Sequence, residues 1–173
     1  MKLRRPILSA SLVLLTVFSL AFPASAIVGT QEILKRLLAA IMTVEKLNYQ
    51  VLLTQTDSVR HDTPSTMTYT LTAGSFYKVI ALGDNDRVAD IDLKVYDEND
   101  NLVGSDDDDT NVAEVNVSPK WTGKFKFVVD AYKMNSGYND AFYGLVVARK
   151  ETTSKPRTST QPKNSGSPAK FYN

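Results

Sequence analysis

Eight aspartates gather in one stretch of the chain as candidate cation ligands: Asp84, Asp86, Asp90, Asp92, Asp106, Asp107, Asp108 and Asp109. Asp84 and Asp86 precede an alternating segment, Val88 to Tyr96, that itself holds Asp90 and Asp92. A polar turn (Asp97 to Asn101) and a short return (Leu102 to Gly104) follow, then the run of four. If the two segments pair as a hairpin, the chain after Gly104 returns toward the start of the first strand. Asp106 to Asp109 then come back to Asp84, Asp86 and Asp90, and the carboxylates share one rim. Between Gly74 and Val117 there are twelve acids and three bases, so repulsion is poorly offset, with Arg87 the obvious local counter-charge. Crowded carboxylates raise one another's pKa unless a cation intervenes. Calcium suits such a rim, because it takes six to eight oxygens in flexible geometry. The spacing is not that of an EF-hand loop. Ordinary alternation also accounts for Asp90, Asp92 and Lys94 as a solvent face opposite Ile91, Leu93 and Val95. Four aspartates in a row equally suit a solvated loop that discourages edge pairing.

Other chemistries find less support. A serine triad needs a histidine base held by a carboxylate. His61, the single histidine, lies between Arg60 and Asp62 in an expected surface loop. There is no cysteine, which excludes a thiol nucleophile and zinc sites built on cysteine and histidine. No phosphate-binding glycine loop is present. Paired carboxylates can cleave glycosides, but the acidic rim is expected in polar loops without apolar neighbours to raise one pKa. The reading is therefore non-enzymatic. A carbohydrate-binding alternative comes from Trp121, Tyr132, Tyr138, Phe142 and Tyr143. Trp121 and Tyr138, beside Gly123 and Gly137, are expected to be exposed and able to stack on a sugar.

The patterned part of the chain is expected to follow a secretory signal. Lys2, Arg4 and Arg5, an apolar run from Pro6 to Phe22, and Ala24-Ser25-Ala26 have the layout of a cleaved leader, residues 1–26. The expected location is secreted or periplasmic, with no stable membrane span after cleavage. The remaining chain has seventeen bases against nineteen acids, too little positive charge for general nucleic-acid binding.

Residues 27–48 are expected to form an amphipathic helix. Thr30 is a candidate N-cap, and Ile33, Leu37, Ile41 and Val44 form one stripe with Leu34 and Leu38 beside it. Its polar face carries Lys35, Arg36, Glu45 and Lys46. The helix either packs on the domain or offers a surface for a partner. From Asn48 the period becomes two, with seven or eight short segments punctuated by glycines. That pattern predicts an all-β antiparallel sandwich or barrel over residues 49–149. From Arg149 to the end there are six bases and one acid, so residues 150–173 read as a disordered basic tail.

Residues 67–149 resemble the bacterial pre-peptidase C-terminal domain family. The matching pieces are Tyr69-Thr-Leu-Thr-Ala-Gly74, Tyr77-Lys-Val-Ile80, Ala89-Asp-Ile-Asp-Leu-Lys-Val-Tyr-Asp97, Asn101-Leu-Val-Gly-Ser-Asp106, Pro119-Lys-Trp-Thr-Gly-Lys-Phe125 and Phe142-Tyr-Gly-Leu-Val146. The resemblance implies a jelly-roll-like β-sandwich that assists secretion, solubility or attachment rather than chemistry. The related collagen-binding domains of secreted collagenases bind calcium, and Asp90 and Asp92 fall on the family's Asp-x-Asp-Leu strand. Members usually follow a peptidase domain, whereas a helix and extra strands precede the module here. A free-standing module that binds an extracellular protein or a cell-surface polymer is the expectation, with service to a secreted peptidase as the alternative.

Overall fold

The computed structural model describes residues 24–151. Helix α1 (Ala24–Lys46) is followed by β1 (Tyr49–Arg60), β2 (Ser65–Leu71), β3 (Tyr77–Gly83), β4 (Val88–Tyr96), β5 (Leu102–Asp106), β6 (Val112–Val117), β7 (Gly123–Met134) and β8 (Asp140–Lys150). Two four-stranded antiparallel sheets result, ordered β1-β8-β3-β6 and β2-β7-β4-β5. This is jelly-roll strand order, with successive strands alternating between sheets except at the β4–β5 hairpin. The expected sandwich is correct, and neither sheet closes into a barrel.

Alternation explains the inner core. Ile91, Leu93 and Val95 of β4 meet Phe125, Phe127 and Val129 of β7, and both sets face Val79, Val115, Leu145 and Val147 across the interlayer space. A second apolar layer lies outside the first sheet, where Ile33, Leu37 and Val44 of α1 cover Ile80, Leu82, Val146 and Ala148. β3 and β8 are thus buried on both faces, which is why Val79–Leu82 and Leu145–Ala148 read as continuous apolar runs. Gly144 is the fit point for the helix: a Cβ there would stand 2.8 Å from the Leu37 side chain.

Some boundaries differ from the sequence expectation. The helix starts at Ala24, so Thr30 lies inside it and is not the N-cap. Ala24 and Ala26 are strong helix formers that favour this extension, while Ile27, Val28 and Gly29 favour helix less. Ala24-Ser25-Ala26 of the expected leader form that first turn, and the rest of the leader lies outside the described residues. β8 runs to Lys150, and the expected tail beyond Glu151 lies outside them too. Among the described residues no helix is long and apolar enough to cross a membrane. Leu34 and Leu38, expected beside the helix stripe, face outward, 54% and 59% exposed.

Candidate functional site

The acidic end is built by β4 and the segment after β5. β5 pairs antiparallel with β4, placing Asp106 opposite Leu93. The chain then runs back along β4, where the Ile91 N–H donates to the Thr110 carbonyl (2.8 Å). Next, the Gly83 N–H donates to the Asn111 carbonyl (3.0 Å), carrying the chain over to the first sheet. The expected return of the four aspartates toward the start of β4 is therefore how the chain runs. Asp107, Asp108 and Asp109 are exposed. Asp106 is half-buried, and one of its carboxylate oxygens accepts the Glu114 N–H at 2.7 Å.

Asp90 and Asp92 do not form a solvent face. Both are buried, 4% and 7% exposed. Two register shifts flank Asp90 in the pairing of β4 with β7, and Asp92 stands opposite Asp130. One oxygen of Asp90 is buried without a hydrogen-bond partner. Burial, then the charges of Asp92, Asp109 and Asp108, pushes the Asp90 carboxyl above the ordinary carboxylate range, against a smaller opposing pull from Lys133. Burial also raises Asp92; Asp130, Asp107 and Asp106 add to the rise and Lys94 opposes it. The mutual repulsion expected of crowded carboxylates is present, but the expectation that the acidic end lacks an environment to raise one carboxyl by desolvation is overturned, because burial in the sheet is the largest cause of both rises.

Asp84 and Asp86 belong to a neighbouring turn. Asp84 is buried, accepts the Asp86 N–H (2.9 Å) and lies 3.6 Å from the Arg87 guanidinium. Arg87 also reaches Asp140 at 3.6 Å. Arg36 of α1 feels the Asp84 charge as well, so Arg87 is not the sole counter-charge. The structure thus divides the eight aspartates. Asp90, Asp92 and Asp106 to Asp109 share one electrostatic neighbourhood, while Asp84 sits with Arg87 and Arg36, and Asp86 belongs to the same turn as Asp84. Among the described residues no three acidic or imidazole side chains are arranged as they stand to hold a metal ion.

Arg36, Asn85 and Asn111 went unrecognised in the sequence. Arg36 turns inward and donates to the Gly83 carbonyl (2.5 Å), the Asn111 side chain (3.0 Å) and Asn85. Asn111 donates to Asn85 (2.8 Å), which donates to Glu32 (3.2 Å). The helix therefore grips the far end of the aspartate-bearing segment. Arg36 follows Ile33 by three positions and precedes Leu37 by one, so the helical period already placed it at the edge of the buried stripe.

The aromatic alternative separates in space. Trp121 and Tyr138 are both exposed, 38% and 42%, as expected. They flank opposite ends of the twelve-residue β7, roughly 35 Å apart by strand rise, and cannot share one sugar. Trp121 stacks on Phe125 (centroids 6.2 Å apart), and the Arg87 guanidinium covers the Tyr138 ring at 5.3 Å. Tyr143 is core, and Phe142 is half-buried against the helix layer. His61 is exposed, 3.6 Å from Asp62.

No family model and no curated protein matches the chain. Among solved structures it is similar to the Aeromonas hydrophila PliG, a periplasmic inhibitor of g-type lysozyme. That likeness has 15% identity and a TM-score of 0.43, covering 57% of this chain and 85% of the other. It is also similar to the pre-peptidase C-terminal domain of a collagenase from Bacillus anthracis, at 21% identity and a TM-score of 0.43, covering 55% of this chain and 87% of the other. The strand order rests on the pairing described above and not on these likenesses.

Proposed function

We propose that the protein works outside the cytoplasm as a non-catalytic attachment module for an extracellular protein or a cell-surface polymer, steadied by calcium at its acidic end. The observation that carries this reading is Asp90: a buried carboxylate, one oxygen without a partner, in the field of Asp92, Asp108 and Asp109. A buried charge without compensation is costly, and a cation offsets that cost. The donor set is all oxygen, which suits calcium and disfavours softer metals. Asp90 and Asp92 would supply the fixed ligands, and Asp106 to Asp109 the adjustable ones. The ion would supply positive charge and tie the segment after β5 to β4.

Thermal melts test this. Extracellular calcium sites bind at about 10⁻⁴ to 10⁻³ M, so 10 mM calcium should add about 1.4–2.7 kcal/mol over chelator. That corresponds to a melting shift of several degrees in wild type and none in Asp90→Asn. Identical melts in calcium and chelator would remove the ion from the account.

A further inference from the structure

We infer that a cleft beside the acidic end binds a neutral sugar, with Tyr132 as its stacking platform. This deepens the attachment reading and rests on it, but it does not rest on the calcium ion. The cleft has a volume of about 460 Å³ and is lined by His61, Asp62, Asp130, Ala131, Tyr132 and Lys133. One wall is the turn between β1 and β2. The other is the end of β7, where the register against β4 shifts between Asp90 and Asp92. The shift inserts one extra residue in β7 and breaks its alternation. Ala131 is buried, and both Tyr132 and Lys133 point outward. Bulges re-aim side chains in this way and are common beside functional sites.

Tyr132 is 65% exposed, more than any other large hydrophobic among the described residues. Its ring is an apolar plate in a polar surround. Asp62 and Asp130 can accept hydrogen bonds from sugar hydroxyls, while Lys133 and His61 can donate them. A mixed set of donors and acceptors around one aromatic face suits a pyranose, which presents apolar C–H groups on one side and hydroxyls at its edge.

The walls are held in place before any ligand arrives. The His61 N–H donates to the Asn139 carbonyl (3.1 Å), fixing the first turn against the connection between β7 and β8. The Asn135 N–H donates to the Arg87 carbonyl (2.8 Å), and its side chain donates to the Asp86 carbonyl (3.0 Å). Such preorganisation lowers the ordering cost of binding. Charge sets the class of sugar. Asp92 stands opposite Asp130, and the run Asp106 to Asp109 lies beyond it. That field repels sulfated and uronate-rich chains and leaves neutral ones as the fitting ligand.

The test is affinity electrophoresis of the whole protein in gels containing galactomannan, xylan or mixed-linkage β-glucan, with heparin as the anionic comparison. Retardation by at least one neutral polysaccharide is expected. Tyr132→Ala should weaken it about tenfold, the loss of roughly one stacking contact. Tyr132→Phe keeps the ring and should retain binding, and Trp121→Ala, at the far end, should leave it unchanged. Equal retardation of wild type and Tyr132→Ala, or none in any neutral gel, would overturn the proposal. Retention by heparin alone would overturn it too, while leaving the attachment reading standing. The calcium melts bear on that reading separately.

Discussion

Asp97, at one end of β4, and Asp90, near the other, are both buried carboxylates on one hairpin, in opposite circumstances. Asp97 accepts the Asn99 N–H (2.8 Å), the Asn101 N–H (2.9 Å) and the Asn101 side-chain amide (2.9 Å). The Asn101 side-chain bond, with the two backbone donors, draws its carboxyl below the ordinary range despite burial. Asp90 has an oxygen with no donor at all and a carboxyl pushed up. The first arrangement closes a turn from within. The second leaves an anion for something else to neutralise. Burial alone therefore does not set the direction in which a carboxyl's pKa moves; the supply of N–H groups does.

Four perturbations separate the two ends of the hairpin. Leu93→Ala, on the core face between the two acids, should cost about 2–5 kcal/mol and weaken both ends together. Urea unfolding with a normal slope and a lowered midpoint would show it. Arg36→Gln should cost about 1–2 kcal/mol, the loss of charged hydrogen bonds to Gly83 and Asn111. It should also speed amide exchange at Gly83 and Ile91 more than at Asn101, because only the acidic end is gripped by the helix.

Asp90→Asn should raise stability in chelator at neutral pH by about 1 kcal/mol, since it relieves a buried charge. A melt that falls instead would make Asp90 a structural acid like Asp97. The smallest effect is the pH profile. Asp90 and Asp92 bind protons more tightly folded than unfolded, so they subtract stability as pH rises from the ordinary carboxylate range through their raised values. Asp97 does the reverse, contributing stability that is lost as pH falls from the ordinary range through its depressed value. Asp97→Ala should therefore lower the melting temperature at pH 7 and flatten the loss seen as pH falls below the ordinary carboxylate range, leaving the Asp90 and Asp92 loss above that range in place. Melts across acid pH would check both slopes.

Much of the fold was legible because period-two alternation needs only local residue types. Ile91, Leu93 and Val95 point to the core as their spacing requires, and the hairpin returns Asp106 beside β4. What could not be read was the coverage of the other face. Asp90 and Asp92 alternate like solvent residues, yet register shifts and the returning segment bury them. Arg36 looked solvated on a helix whose packing partner was unknown, and the docked sheet turns it into a clamp. Trp121 and Tyr138 are near in sequence, but a full-length strand separates them. Tyr132 lies on the outward side of β7 by plain alternation, but the bulge that turns Lys133 outward beside it is announced by no residue type.

Carboxyl-detected NMR titration of the wild-type protein compares the two acids in one experiment. In chelator, Asp90 should titrate above the ordinary carboxylate range and Asp97 below it, and adding calcium should draw Asp90 down while leaving Asp97 unmoved. Superimposable curves for the two carboxyls, or an Asp90 curve indifferent to calcium, would contradict the account.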